Sequence, residues 1–151
     1  MDYTTREELH NLIREVVCEK YMIASANIIY LEQLELRNFV VYMTQFRDSL
    51  THLVNIYSVD DILDSKDYIL EQLERINGHL ERIVIDSYRK ICDSLLGTIR
   101  KTKRWKDIHA MEVQTALKIK ELRVCDNNMT FDRKKDGFQE LVTFLEGIIK
   151  K

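Results

Sequence analysis

The 151-residue chain contains no proline and only four glycines. Strand-and-turn architectures need both residues at their reversals. Proline pre-sets a turn, and glycine supplies the positive φ that tight hairpins demand. A chain this poor in both is restricted to a few long helices, provided that its apolar residues repeat at three and four. They do, so the sequence predicts an all-α fold, a four- to five-helix bundle forming one domain over residues 1–151. Apolar residues make up 45% of the chain and charged residues 32%, which suits a globular protein with its own core rather than a disordered one.

The first helix is expected from near Thr4 to about Leu31. Thr4 with Glu7, and Thr5 with Glu8, have capping-box spacing, and Leu9, Leu12, Val16, Ile23 and Tyr30 mark one face. A second helix is expected from about Gln33 to Tyr57. Its apolar stripe is Leu36, Phe39, Val40, Met43, Phe46, Leu50, Leu53, Val54 and Tyr57, the pattern of a helix packed in a bundle. Ser58 to Asp61 form a turn, with Ser58 and Asp61 as caps of a short piece and Ser65 or Asp64 as the cap of the next helix. That third helix, Lys66 to Leu96, carries Ile69, Leu73, Ile76, Leu80, Ile83, Ser87, Ile91 and Leu95 on one face. Arg75, His79, Arg82, Asp86, Arg89 and Asp93 line another. Gly78, inside it, is expected to allow close helix approach or a bend, and Gly97 to end it. A fourth helix follows from Thr98 to about Val124, then a last one from about Asp136 to Ile149 with Phe138, Leu141, Val142, Leu145 and Ile148 facing inward.

A net charge of −2 gives the chain no overall attraction for nucleic acid, so any such contact must come from a local patch. Cys18, Cys92 and Cys125 are odd in number and widely spaced. They fit reduced, structural thiols of a cytoplasmic protein better than a disulfide framework or a metal site. No acidic or cysteine cluster has metal-ligand spacing, and no cofactor is expected. The charged start, Asp2 to Glu8, is unlike a signal peptide, and no apolar run is long enough to span a membrane.

Phe46-Arg47-Asp48-Ser49-Leu50-Thr51-His52-Leu53 departs from packing logic, because it sets an arginine and a histidine within an apolar helix. Arg47 and His52 resemble the RX4H motif of HEPN domains, small all-α bundles found in ribonuclease toxins and defence proteins. Asp48 matches the polar residue that often follows the arginine there. His79-Leu80-Glu81-Arg82 followed by Asp86 is similar to the family's second segment. The resemblance covers Leu36 to Leu96.

The resemblance implies an endoribonuclease that cleaves RNA without a metal, through attack of the 2′-hydroxyl on the adjacent phosphate. His52 would be the general acid/base, because imidazole titrates near neutrality. Arg47 would be the phosphate clamp, and Asp48 would orient His52. His79 and Arg82 would line the same groove. Arg100 and Arg104, with Trp105 for base stacking, would track single-stranded RNA. Five residues span about 140° of a helix, so Arg47 and His52 of one chain do not share a face. A homodimer with a composite site answers this, as the family also implies. An antitoxin or another partner protein would hold such an enzyme in check. The plainer alternatives are a snorkelling arginine, a satisfied helix histidine, a solvated charge stripe on the third helix and a solvated start to the fourth. Together they describe a catalytically inactive bundle that binds RNA or a partner protein.

Overall fold

A computed structural model describes residues 1–102, 105–123 and 129–151, with 105–107 described as backbone only. The chain is all-α: among the described residues there are helices and turns and no strand. α1 (Arg6–Ile13) runs through a π-helical turn (Arg14–Cys18) into α2 (Glu19–Glu35). α3 (Val41–Tyr57), α4 (Lys66–Thr102), α5 (Trp105–Arg123) and α6 (Phe131–Lys150) follow. The chain divides into two compact units, Met1–Ala26 with Asn38–Val84, and Asn27–Arg37 with Ile85–Lys151.

The first unit begins with the capping box at Thr5. Its hydroxyl accepts from the Glu8 N–H at 3.2 Å, and the Glu8 carboxylate accepts from the Thr4 and Thr5 amides. The buried line of α1 and the π turn is Leu9, Ile13 and Val16, with Leu12 half-buried beside it. Tyr21 on α2 meets the ring of Phe46 on α3 edge-on, at 5.6 Å between centroids. Lys20 on α2 reaches Asn77 and Glu81 on α4. The tyrosine hydroxyl of Tyr3 donates to the carbonyl of Ile62, tying the N-terminus to the turn before α4. Asp61 builds that turn, its carboxylate accepting from the amides of Leu63 and Asp64. These two bonds hold the Asp61 carboxyl below its usual range.

α3 starts at Val41 and not near Gln33. Gln33 to Glu35 belong to α2, and Leu36 then takes a left-handed φ of 52°. No proline or glycine marks this break, which is why the sequence pattern runs through it. A left-handed conformation at a leucine costs about 1–2 kcal/mol.

α4 buries every position expected of its apolar face in this unit: Ile69, Leu73, Ile76, Leu80 and Ile83. Gly78 has nothing within 4 Å of where a Cβ would stand, so it serves no close helix approach. It opens onto a surface pocket instead.

In the second unit the same face continues through Ser87, Ile91, Leu95 and Ile99, all buried. Gly97 does not end the helix, which runs on to Thr102. A glycine costs a helix about 1 kcal/mol. Burying Leu95, Leu96 and Ile99 at helical spacing outweighs that cost. The Asn27 amide donates to Ser87 at 3.1 Å, both buried. The Tyr88 and Phe138 rings stack at 5.9 Å, joining α4 to α6. α6 begins at Phe131, capped by Thr130, one turn earlier than Asp136. It buries Phe138, Leu141 and Leu145 as expected. Gly137 is the one glycine that close approach requires, since a Cβ there would fall 2.6 Å from Leu122 of α5.

Candidate functional site

α3 does not bury the stripe that its sequence pattern marks. Val40, Met43, Leu50, Val54 and Tyr57 are each more than half exposed, as is Leu36 before the helix. Phe39 is buried, and Phe46 and Leu53 are half-buried. The inward line is instead Tyr42, Gln45, Ser49, His52 and Ile56. This line also repeats at three and four, but three of its five members are polar. Burying them is favourable only because each has a partner. The Ser49 hydroxyl donates to the Gln45 carbonyl at 2.9 Å. Gln45 Oε1 lies 2.6 Å from His79 Nδ1 on α4. Gln72 Oε1 lies 2.8 Å from His52 Nδ1 and accepts from Asn55 Nδ2 at 3.2 Å. Gln72 stands at the edge of the apolar face of α4, and is itself 5% exposed.

These bonds fix the imidazoles. An amide oxygen accepts, so Nδ1 of each ring carries the proton and Nε2 of a neutral ring keeps the lone pair. The two rings stack, 5.4 Å between centroids and 18° between planes. They open onto a pocket of about 520 Å³ lined by His52, Glu71, Glu74, Arg75, Gly78, His79 and Arg82. His79 is held below the ordinary imidazole range, by burial first and then by positive charge on His52 and Arg82. Asp48 pulls the other way. Arg75 is ion-paired with Glu71 at 2.6 Å. Arg82 has no ion pair among the described residues. Its cation is therefore the pocket's available one, and Glu74 is the charge opposing it.

The structure thus brings His52, His79 and Arg82 together and leaves Arg47 out. Arg47 is exposed on the outer side of α3, 3.3 Å from Asp48. Asp48 does not hold the His52 ring. Gln72, on the facing helix, does. Arg100 belongs to the second unit, where it is ion-paired with Glu112. Arg104 and the side chain of Trp105 lie outside the described residues, as does Cys125. Cys18 is exposed rather than structural, while burial pushes the Cys92 thiol up to about 12. Gln45, Asn55 and Gln72 were not foreseen. The signal for them was there: polar residues at helical spacing opposite an apolar stripe, and one glutamine bordering the apolar face of α4.

Among the described residues no three histidine, cysteine, aspartate or glutamate side chains gather to hold a metal ion. None of the described helices is long and apolar enough to cross a membrane. No protein-family model, curated protein or solved structure matches the chain significantly.

Proposed function

We propose that the chain is an endoribonuclease of HEPN-like kind whose acid–base pair is His52 and His79. The observation that carries this reading is the stacked imidazole pair, each ring fixed by a glutamine, opening onto one pocket beside Arg82. Transesterification of RNA needs one base, one acid and one cation. His79, held neutral, takes the 2′-hydroxyl proton on Nε2. The 2′-oxygen then attacks phosphorus and the bond from phosphorus to the 5′-oxygen breaks. His52 in its imidazolium form gives that oxygen its proton. The products are a 2′,3′-cyclic phosphate and a 5′-hydroxyl. Arg82 binds the charge that grows on the phosphate.

Arg47 enters this chemistry only if a second chain delivers it, as the composite site of the HEPN resemblance requires. Incubation with single-stranded RNA in EDTA decides between the versions. Cleavage lost in His52→Ala and His79→Ala but kept in Arg47→Ala supports the single-chain pocket. Loss in Arg47→Ala as well supports the composite site. No cleavage by the wild type sinks the enzyme reading. The exposed apolar line of α3 favours a second reading in that event, a bundle without catalysis that binds a partner protein.

A further inference from the structure

We propose that Gly78 is the floor of a nucleobase seat, so that the histidine pocket takes the base beside the cleaved phosphate as well as the phosphate. The proposal rests on the RNA-cleaving reading of that pocket and names the substrate group it holds.

Gly78 lies well inside α4, and nothing in the fold asks for a glycine there. Its φ is not positive, and no atom stands within 4 Å of where a Cβ would be. Alanine would make a better helix at this position. Gly97 and Gly147 are equally free, but Gly78 stands in the wall of the histidine pocket. What its missing side chain leaves is space in that pocket, between Arg75 one turn before it and Arg82 one turn after. Along the helix axis these stand about 4.5 and 6 Å from Gly78. Arg75 is drawn back toward Glu71, with which it pairs at 2.6 Å, and so leaves the gap open.

The chemistry of the gap says what fits it. Inside a helix each backbone N–H and C=O is already bonded to the neighbouring turns. The bare backbone at Gly78 therefore offers a contact surface and no spare hydrogen bond. A phosphate gains nothing from such a surface, and the Glu74 carboxylate, one turn before Gly78, repels it. A flat ring with a weakly polar face gains dispersion contact over its whole area. The order along α4 is Glu74, Gly78, Arg82. It puts the base over Gly78 and the phosphate at the Arg82 end, beside His79.

Gly78→Leu, which fills the gap, and Gly78→Ala, whose methyl group meets no atom of the protein, test the seat. Both are better helix formers than glycine and should melt above the wild type. Binding of the four nucleoside 3′-monophosphates and of inorganic phosphate is followed by NMR titration, and cleavage of single-stranded RNA in EDTA by initial rates. The wild type should bind the nucleotides about tenfold more tightly than inorganic phosphate. Gly78→Leu should lose that advantage and raise KM for RNA by about tenfold or more, with phosphate binding unchanged. Gly78→Ala should show the same loss at smaller size. A folded Gly78→Leu that binds nucleotides and cleaves RNA like the wild type overturns the seat and leaves the ribonuclease standing. So does a wild type that cleaves RNA but binds nucleotides no better than phosphate. A wild type that never cleaves, yet binds nucleotides and loses them in Gly78→Leu, supports the seat and overturns the ribonuclease.

Discussion

The two faces of α3 divide the labour against expectation. The outer face carries valine, methionine, leucine and tyrosine and is left in solvent, while the inner face carries a buried serine and a half-buried glutamine and histidine. Hydrophobic transfer alone would reverse them. The inner face is held because α4 presents matching groups, Gln72 to His52 and His79 to Gln45. Satisfied polar pairs remove most of the desolvation penalty, and Tyr42 and Ile56 supply the apolar burial at either end. What the difference teaches is that a helix with two lines at the same period is oriented by its partner, not by its own apolarity.

Replacing a ring breaks the inner face most severely. His52→Ala removes the proposed acid and should lower RNA cleavage by about 10²- to 10⁴-fold. It also leaves Gln72 without one of its two donors, so urea denaturation should show a loss of roughly 1–3 kcal/mol. Charge at the mouth of the same pocket sharpens the picture. Glu74→Gln takes away the carboxylate that opposes a phosphate there, and should tighten RNA binding several-fold at low salt, the gain shrinking as salt is raised. Gly78→Ala is a smaller probe. No atom stands in the way of the new methyl group, so helix propensity should raise Tm by about 2–4 °C, which calorimetry would read.

The smallest effect is the pH dependence of stability. The fold disfavours protonated His79, so its contribution is present above about pH 6.5, the ordinary imidazole value. It is lost as pH falls below that value, where the unfolded chain takes up the proton first. Tm should therefore decline on acidification below that point, and decline less in His79→Gln. An equal decline in both would show that burial of His79 is not its cause.

Much of this was legible in the sequence. The scarcity of proline and glycine gave the all-α class, and one apolar period ran unbroken down α4 from Ile69 to Leu95, every position of it buried. α6 likewise buried Phe138, Leu141 and Leu145. Helix ends were less legible. Gly97 looks like a stop, but the buried leucines and isoleucine around it carry the helix on. Leu36 turns the chain with no breaker residue to announce it. The orientation of α3 could not be read, because its period fits two faces and the deciding hydrogen bonds come from α4, twenty and thirty-four residues away. Of the candidate site, His52, His79 and Arg82 were visible as residue types at helical spacing. The glutamines that fix the rings were hidden among packing positions.

The central claim is that the two stacked rings, His52 on α3 and His79 on α4, would act as one acid–base pair in the pocket. The most direct measurement is cleavage of single-stranded RNA in EDTA by the wild type, His52→Ala, His79→Ala and Arg47→Ala at equal chain concentration. The account predicts loss of cleavage in both histidine variants and its retention in Arg47→Ala. Cleavage that survives His79→Ala would contradict it.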